Sequence, residues 1–127
     1  MSDVDNTITI FSFERLEAYI QAKELVKEIY KLQSRFPKEE KFALGDQVRR
    51  AAVSITANIA EGCGRYSPKE KIRYIEIAFG SMTEVFSELQ IAYELESITK
   101  DDIDAIRPCF SQVAKKLSGL RKSLTTT

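Results

Sequence analysis

The chain has 127 residues, enough for one domain with its own core and too few for separate catalytic and regulatory modules. Its 19 basic and 19 acidic residues cancel, so the chain as a whole is no electrostatic trap for polyanions. Histidine is absent, which excludes Ser-His and Cys-His catalysis, HExxH zinc sites and the Glu-x-x-His ligands of di-iron bundles.

The first residues, MSDVDNTITIFSF, carry neither a basic start nor a long apolar run, so they do not read as a signal peptide. Residues 7–13 are the only stretch that alternates like a strand. We read residues 1–12 as an irregular N-terminal arm of a single domain spanning 1–127. No run approaches the roughly 18 apolar residues of a membrane span, and a cytoplasmic protein is expected. Cys63 and Cys109 stand far apart and outside any CxxC spacing, so they read as buried or half-buried thiols in a reduced compartment. No metal, cofactor or small-molecule substrate is implied.

With 5 glycines and 3 prolines, the chain leans toward helices. The first segment, residues 14–35, places Ala18, Ala22, Leu25, Ile29, Leu32 and Phe36 in alternating steps of four and three, a heptad seam. Leu16, Tyr19, Val26 and Tyr30 widen that face. Pro37 ends the segment, because the residue before a proline is pushed out of the helical region. A charged stretch, residues 38–41, leads to a second helix over 46–63 with Val48, Ala52, Ile55 and Ile59 as its seam. Its many small residues admit a close neighbour, and Gly62-Cys63-Gly64 reads as its stop.

Ser67-Pro68-x-Glu70 predicts the next helix start, with Ser67 as cap, Pro68 in the first helical position and Glu70 closing a capping box. The helix runs to about Glu96. Ile72, Ile75, Phe79, Met82, Phe86, Leu89 and Tyr93 form one seam, and Tyr74, Ala78, Ser81, Val85 and Ala92 form a second beside it. That apolar surface is wider than a neighbouring helix covers and points to a subunit interface as well. Thr99 caps a last helix, with Asp101 and Asp102 in its first turn. Its seam is Ile103, Ile106, Phe110, Val113, Leu117, Leu120 and Leu124. A bend is expected at Pro108, and fraying over 125–127. Four amphipathic segments with short connections predict an all-α, antiparallel up-down-up-down four-helix bundle.

Charge is segregated along the chain. Residues 35–73 hold nine basic residues against five acids, residues 76–106 hold eight acids against Lys100, and five basic residues with no acid follow from Arg107. Such a pattern pairs helices or subunits, or offers a local basic face to phosphates. The candidate nucleic-acid contacts are Arg49, Arg50, Arg65, Lys69, Lys71 and Arg73. Ser54, Asn58 and Glu61 share one helical face and read as a buried or interfacial polar network, with Arg49, Arg50 or a loop amide as partner. A catalytic reading of the same three residues lacks a second carboxylate, a nucleophile with its base and a metal ligand set.

At these residues the chain resembles a known family. The matching stretches are Phe13-x-x-Leu16-x-Ala18-Tyr19-x-x-Ala22 and Phe36-Pro37-x-Glu39-Glu40-x-Phe42-x-Leu44. The most specific is Gln47-x-Arg49-Arg50-Ala51-Ala52-x-Ser54-Ile55-x-Ala57-Asn58-Ile59-Ala60-Glu61-Gly62-x-Gly64-Arg65. Ser67-x-Lys69-Glu70 and Ala78-x-Gly80-Ser81-x-x-Glu84 follow in order. These stretches resemble the small proteins read from intervening sequences of bacterial 23S ribosomal RNA genes, the S23-type proteins. The resemblance implies a four-helix bundle that assembles as a homopentamer and has no established enzymatic activity. That family is similar to the basic pentameric accessory proteins of diversity-generating retroelements, which associate with a reverse transcriptase and nucleic acid. Two departures stand out: Tyr19 where the family usually has Trp, and Thr56 where it usually has Pro, which leaves the second helix straighter. The expectation is a non-catalytic oligomer whose partners are its own copies and RNA or an RNA-handling protein. The alternatives are a protein scaffold without nucleic acid, or an enzyme with its site at Ser54, Asn58 and Glu61.

Overall fold

The computed structural model describes residues 11–125, and the regular structure within them is all helical. The arm expected over residues 1–12 falls mostly outside this range, as do the last two residues of the expected frayed end. A single 3-10 turn, Ser12–Arg15, precedes α1 (Glu17–Gln33). Then come a one-turn α2 (Lys38–Lys41), α3 (Leu44–Cys63), α4 (Pro68–Glu94) and α5 (Lys100–Thr125).

The heptad seam of α1 is the face that goes inside: Ala18, Ala22, Leu25, Ile29, Leu32 and Phe36 are all buried. The helix closes at Gln33, and Ser34, Arg35 and Phe36 turn back onto Tyr30, Leu32 and Gln33 carbonyls ahead of Pro37. The charged stretch after Pro37 forms the α2 turn, because Glu40 and Lys41 both donate backbone N–H groups to the Pro37 carbonyl, at 2.9 and 3.0 Å. In α3 the expected seam of Val48, Ala52, Ile55 and Ile59 is buried, joined by Ala51. Full burial of each such Ile or Val contributes about 1.5–3 kcal/mol relative to exposure.

The ends of α3 and α4 differ in detail from expectation. Gly64 follows α3 with φ −83°, so it is not a left-handed cap. The glycine that matters is Gly62, where an added Cβ would lie 2.9 Å from Tyr74 Cβ and 3.4 Å from the Lys71 carbonyl. Its lack of a side chain lets α4 come close to the last turn of α3. Ser67 Oγ accepts the Glu70 N–H at 3.1 Å, as a cap should. The Glu70 carboxylate lies 4.0 Å from Arg73 Nη1, an i,i+3 pair. At its far end α4 closes in a Schellman turn, with the Ser97 N–H reaching the Ala92 carbonyl at 2.8 Å and the Glu96 N–H reaching Tyr93 at 2.9 Å. Glu96 occupies the left-handed position at φ 64°, where glycine is usual.

The two stripes expected on α4 are mixed by the packing. Ile75, Ala78, Met82, Val85, Leu89 and Ala92 are buried, again in steps of three and four. Phe79 and Tyr93 flank that seam and stay exposed, while Phe86 is half-buried against Phe110, its ring 5.1 Å away at 71°. The start of α5 carries a reciprocal capping box: the Asp102 N–H donates to Thr99 Oγ1 at 3.2 Å, and the Thr99 N–H donates to Asp102 Oδ2 at 2.8 Å. The helix runs unbroken through Pro108.

Helix α1 packs on α3 and α5, and α4 packs on the same two, so the four long helices enclose one core. The cross-links fix which levels meet. Arg35 pairs with Asp102 between α1 and α5, and Lys116 Nζ meets Glu17 Oε1 at 3.3 Å. Arg121 Nη2 meets Glu76 Oε2 at 2.7 Å between α5 and α4, and Ser54 Oγ meets Ser81 Oγ at 2.8 Å between α3 and α4.

Candidate nucleic-acid interface

The six basic residues singled out from the sequence separate into two groups. Arg49 and Arg50 sit near the start of α3, about 20 Å along the helix from its last residue, Cys63, at 1.5 Å per residue. Arg49 is committed to Asp46 one turn earlier, so its charge is locally cancelled. Arg50 is exposed and makes no ion pair or hydrogen bond among the described residues.

Arg65, Lys69, Lys71 and Arg73 gather at the connection between α3 and α4. Arg65 Nη2 donates to Glu61 Oε2 at 2.6 Å and to the Tyr74 hydroxyl at 2.8 Å. Its guanidinium lies 4.8 Å from the Tyr74 ring centroid, and that of Arg73 lies 5.5 Å from the same ring. A π face attracts cations, which holds both arginines at one level of the fold. Lys71 Nζ donates to the Cys63 carbonyl at 3.1 Å, satisfying an acceptor left over at the end of α3. Lys69, in the first turn of α4, is exposed and unpaired among the described residues.

Two contributors to this end were not legible in the sequence. The Arg121–Glu76 contact sets the last turns of α5 beside the first turns of α4, bringing Arg121 and Lys122 from the acid-free final segment toward the same connection. Lys122 is exposed, with no ion pair among the described residues. Tyr66, in the loop itself, is 101% exposed. Its immediate neighbours, Arg65 and Ser67, were the only signal available.

The expected polar network forms only in part. Asn58 Nδ2 donates to the Ser54 carbonyl at 2.8 Å and to Ser54 Oγ at 2.9 Å, and Ser54 passes the chain on to Ser81. Neither Arg49 nor Arg50 joins it. Glu61 does not belong to it: its side chain is 52% exposed and turned to Arg65. The physical reason is position, since Glu61 lies in the last turn of α3, where Arg65 one turn further on competes for it. Ser54, Asn58 and Glu61 therefore form no common site. Beside Glu61, a shallow cleft of about 490 Å³ runs between Phe11, Phe13, Ala60 and Arg65, where the N-terminal turn lies along α3.

Cys63 and Cys109 are both free and half-buried, and burial raises both thiols above their ordinary range, away from nucleophilic thiolate. No group of three or more metal-ligating side chains occurs among the described residues. No helix among them is long and apolar enough to cross a membrane.

The molecule is thus a helical bundle whose distinctive chemistry lies on a surface of charge and aromatic rings. The family model described as 23S rRNA-intervening sequence protein matches residues 14–119, and the chain belongs to that family. A crystal structure of a protein of unknown function from the S23 ribosomal protein family of Bacteroides thetaiotaomicron VPI-5482 matches with a TM-score of 0.72. It is 24% identical, and the match covers 83% of this chain and 98% of that one. No curated protein matches the chain.

Proposed function

We propose that this protein is a non-catalytic interaction protein that self-assembles and holds RNA on the end of the bundle formed by the α3–α4 connection and the last turns of α5. The carrying observation is the meeting at that end of two segments far apart in sequence, which bring together Lys69, Lys71 and Lys122, lysines with no ion pair among the described residues. The neutral total charge is then no obstacle, because phosphates respond to local charge within about 8–10 Å at physiological salt. The cytoplasm is the compartment this reading requires.

The four long helices form an antiparallel up-down-up-down bundle in this reading. Its support is the opposite running of residue numbers in the pairs Arg35–Asp102 and Lys116–Glu17, and in Arg121–Glu76 and Phe86–Phe110. Self-assembly is supported by the apolar residues α4 leaves exposed, Ile77, Phe79, Ile91 and Tyr93. Five subunits is the number the family resemblance implies.

The test is a titration with a structured RNA at two salt concentrations. Affinity is expected to fall steeply with salt, and the slope to drop by about 1 for each phosphate-contacting lysine removed, as in Lys69→Ala and Lys122→Ala. Arg49→Ala is expected to change the slope little, because Asp46 already neutralises that charge. Absence of binding even near 50 mM salt would reject the RNA reading and leave a protein scaffold.

A further inference from the structure

We infer that the α3–α4 connection is a stacking platform for an unpaired nucleotide, so that the RNA bound is single-stranded at this point; this rests on the RNA reading above. The loop is four residues long, 64–67, and each part of it is held. The Gly64 N–H donates to the Glu61 carbonyl and the Arg65 N–H to the Gly62 carbonyl, both at 3.1 Å. Lys71 clasps the Cys63 carbonyl from the far side, and Ser67 is fixed as the cap of α4. The backbone carrying Tyr66 is therefore organised before any ligand arrives, which lowers the entropy cost of binding.

On that held backbone Tyr66 projects a ring that is 101% exposed and contributes nothing to the core. The ring nearest in sequence with a similar chemistry, Tyr74, is already covered by two guanidinium groups, at 4.8 and 5.5 Å. Tyr66 has no such cover. An aromatic face left open beside cations matches the two needs of a flexible polynucleotide: a π surface for a base and positive charge for the phosphates on either side of it. Lys69, unpaired in the first turn of α4, supplies that charge. A duplex keeps its bases stacked on one another and has no free face for Tyr66, so it can use the lysines alone.

The experiment is fluorescence anisotropy with two labelled probes, an unstructured oligouridine of about 12 nucleotides and an RNA duplex of about the same length, for the parent chain and for Tyr66→Ala and Tyr66→Phe. Full exposure of Tyr66 leaves both variants folded, which far-UV circular dichroism checks. Tyr66→Ala is expected to weaken oligouridine binding about 10-fold with an unchanged salt slope, to leave duplex binding unaltered, and Tyr66→Phe is expected to restore the parent affinity. Equal losses for both probes, or no loss for either while both still bind with a steep salt slope, would overturn the platform and spare the RNA reading. Failure of the parent chain to bind either probe would overturn both.

Discussion

Glu88 is the residue on which pH acts most directly. It is 7% exposed on α4, and its Oε1 has no hydrogen-bond partner. Burial, with Glu84 one turn earlier adding a hydrogen bond and repulsion, pushes its carboxyl up to about 7. The folded chain thus keeps a proton that the unfolded chain releases at the ordinary carboxylate value near 4.5. Stability from this group is complete below that value, falls as pH rises toward 7, and is level above it. Glu88→Gln cannot ionise, so in urea melts it is expected to be more stable than the parent by about 1–3 kcal/mol at pH 8 and nearly equal to it at pH 4. The same difference at both pH values would contradict this account. Nothing in the heptad pattern marked Glu88, because burial of one residue beside a seam depends on how far the neighbouring helix leans over it.

Among the elements, the α3–α4 pair is the most closely fitted, and Gly62 is the reason. Gly62→Ala raises intrinsic helix propensity by about 1 kcal/mol but drives a Cβ to 2.9 Å from Tyr74 Cβ. That neighbour is the rigid base of a side chain, so the two helices must part. The net expected outcome is a loss of about 1–3 kcal/mol in a thermal or denaturant melt. An unchanged melt would mean that the last turn of α3 yields without cost. The seams of α1 and α3 were readable residue by residue, and that of α5 as far as Leu117, beyond which Leu120 and Leu124 are only half-buried. On α4 the reading was too broad: Phe79 and Tyr93 share the heptad spacing of Met82 and Leu89, yet stand at the edge of the contact with α5. Spacing assigns a residue to a face, but the width of the covered part depends on the neighbour.

At the scale of the whole molecule, charge has a direction. The basic connection after α3 lies at one end, while Glu94, Glu96, Asp101 and Asp102 flank the opposite connection, between α4 and α5, where among the described residues Arg35 offsets Asp102 alone of the four. Copies arranged side by side in the same sense would present their basic ends on one face, and weak single patches would then add through multivalency. Light scattering at micromolar concentration is expected to report a mass several times that of the 14.4 kDa chain. Replacing the exposed Ile91 with Arg should shift it toward the monomer, because a charge carried into an apolar contact loses its hydration. A monomeric parent chain would remove self-assembly from the reading.

The sequence by itself determined the features that depend on neighbours within about one helical turn: the helical segments, their buried seams, the Ser67 and Thr99 caps and the stop ahead of Pro37. These follow from side chains three and four residues apart sharing a face and from backbone groups at helix ends needing local partners. It also carried the family, through the dense motif of α3. Only the tertiary structure decided which charges remain free and which meet. Arg35 meets Asp102, Arg121 meets Glu76, and α5 returns its basic end to the loop that displays Tyr66. Those outcomes rest on the register between helices tens of residues apart, where a shift of one turn moves a charge by about 5 Å and changes its partner.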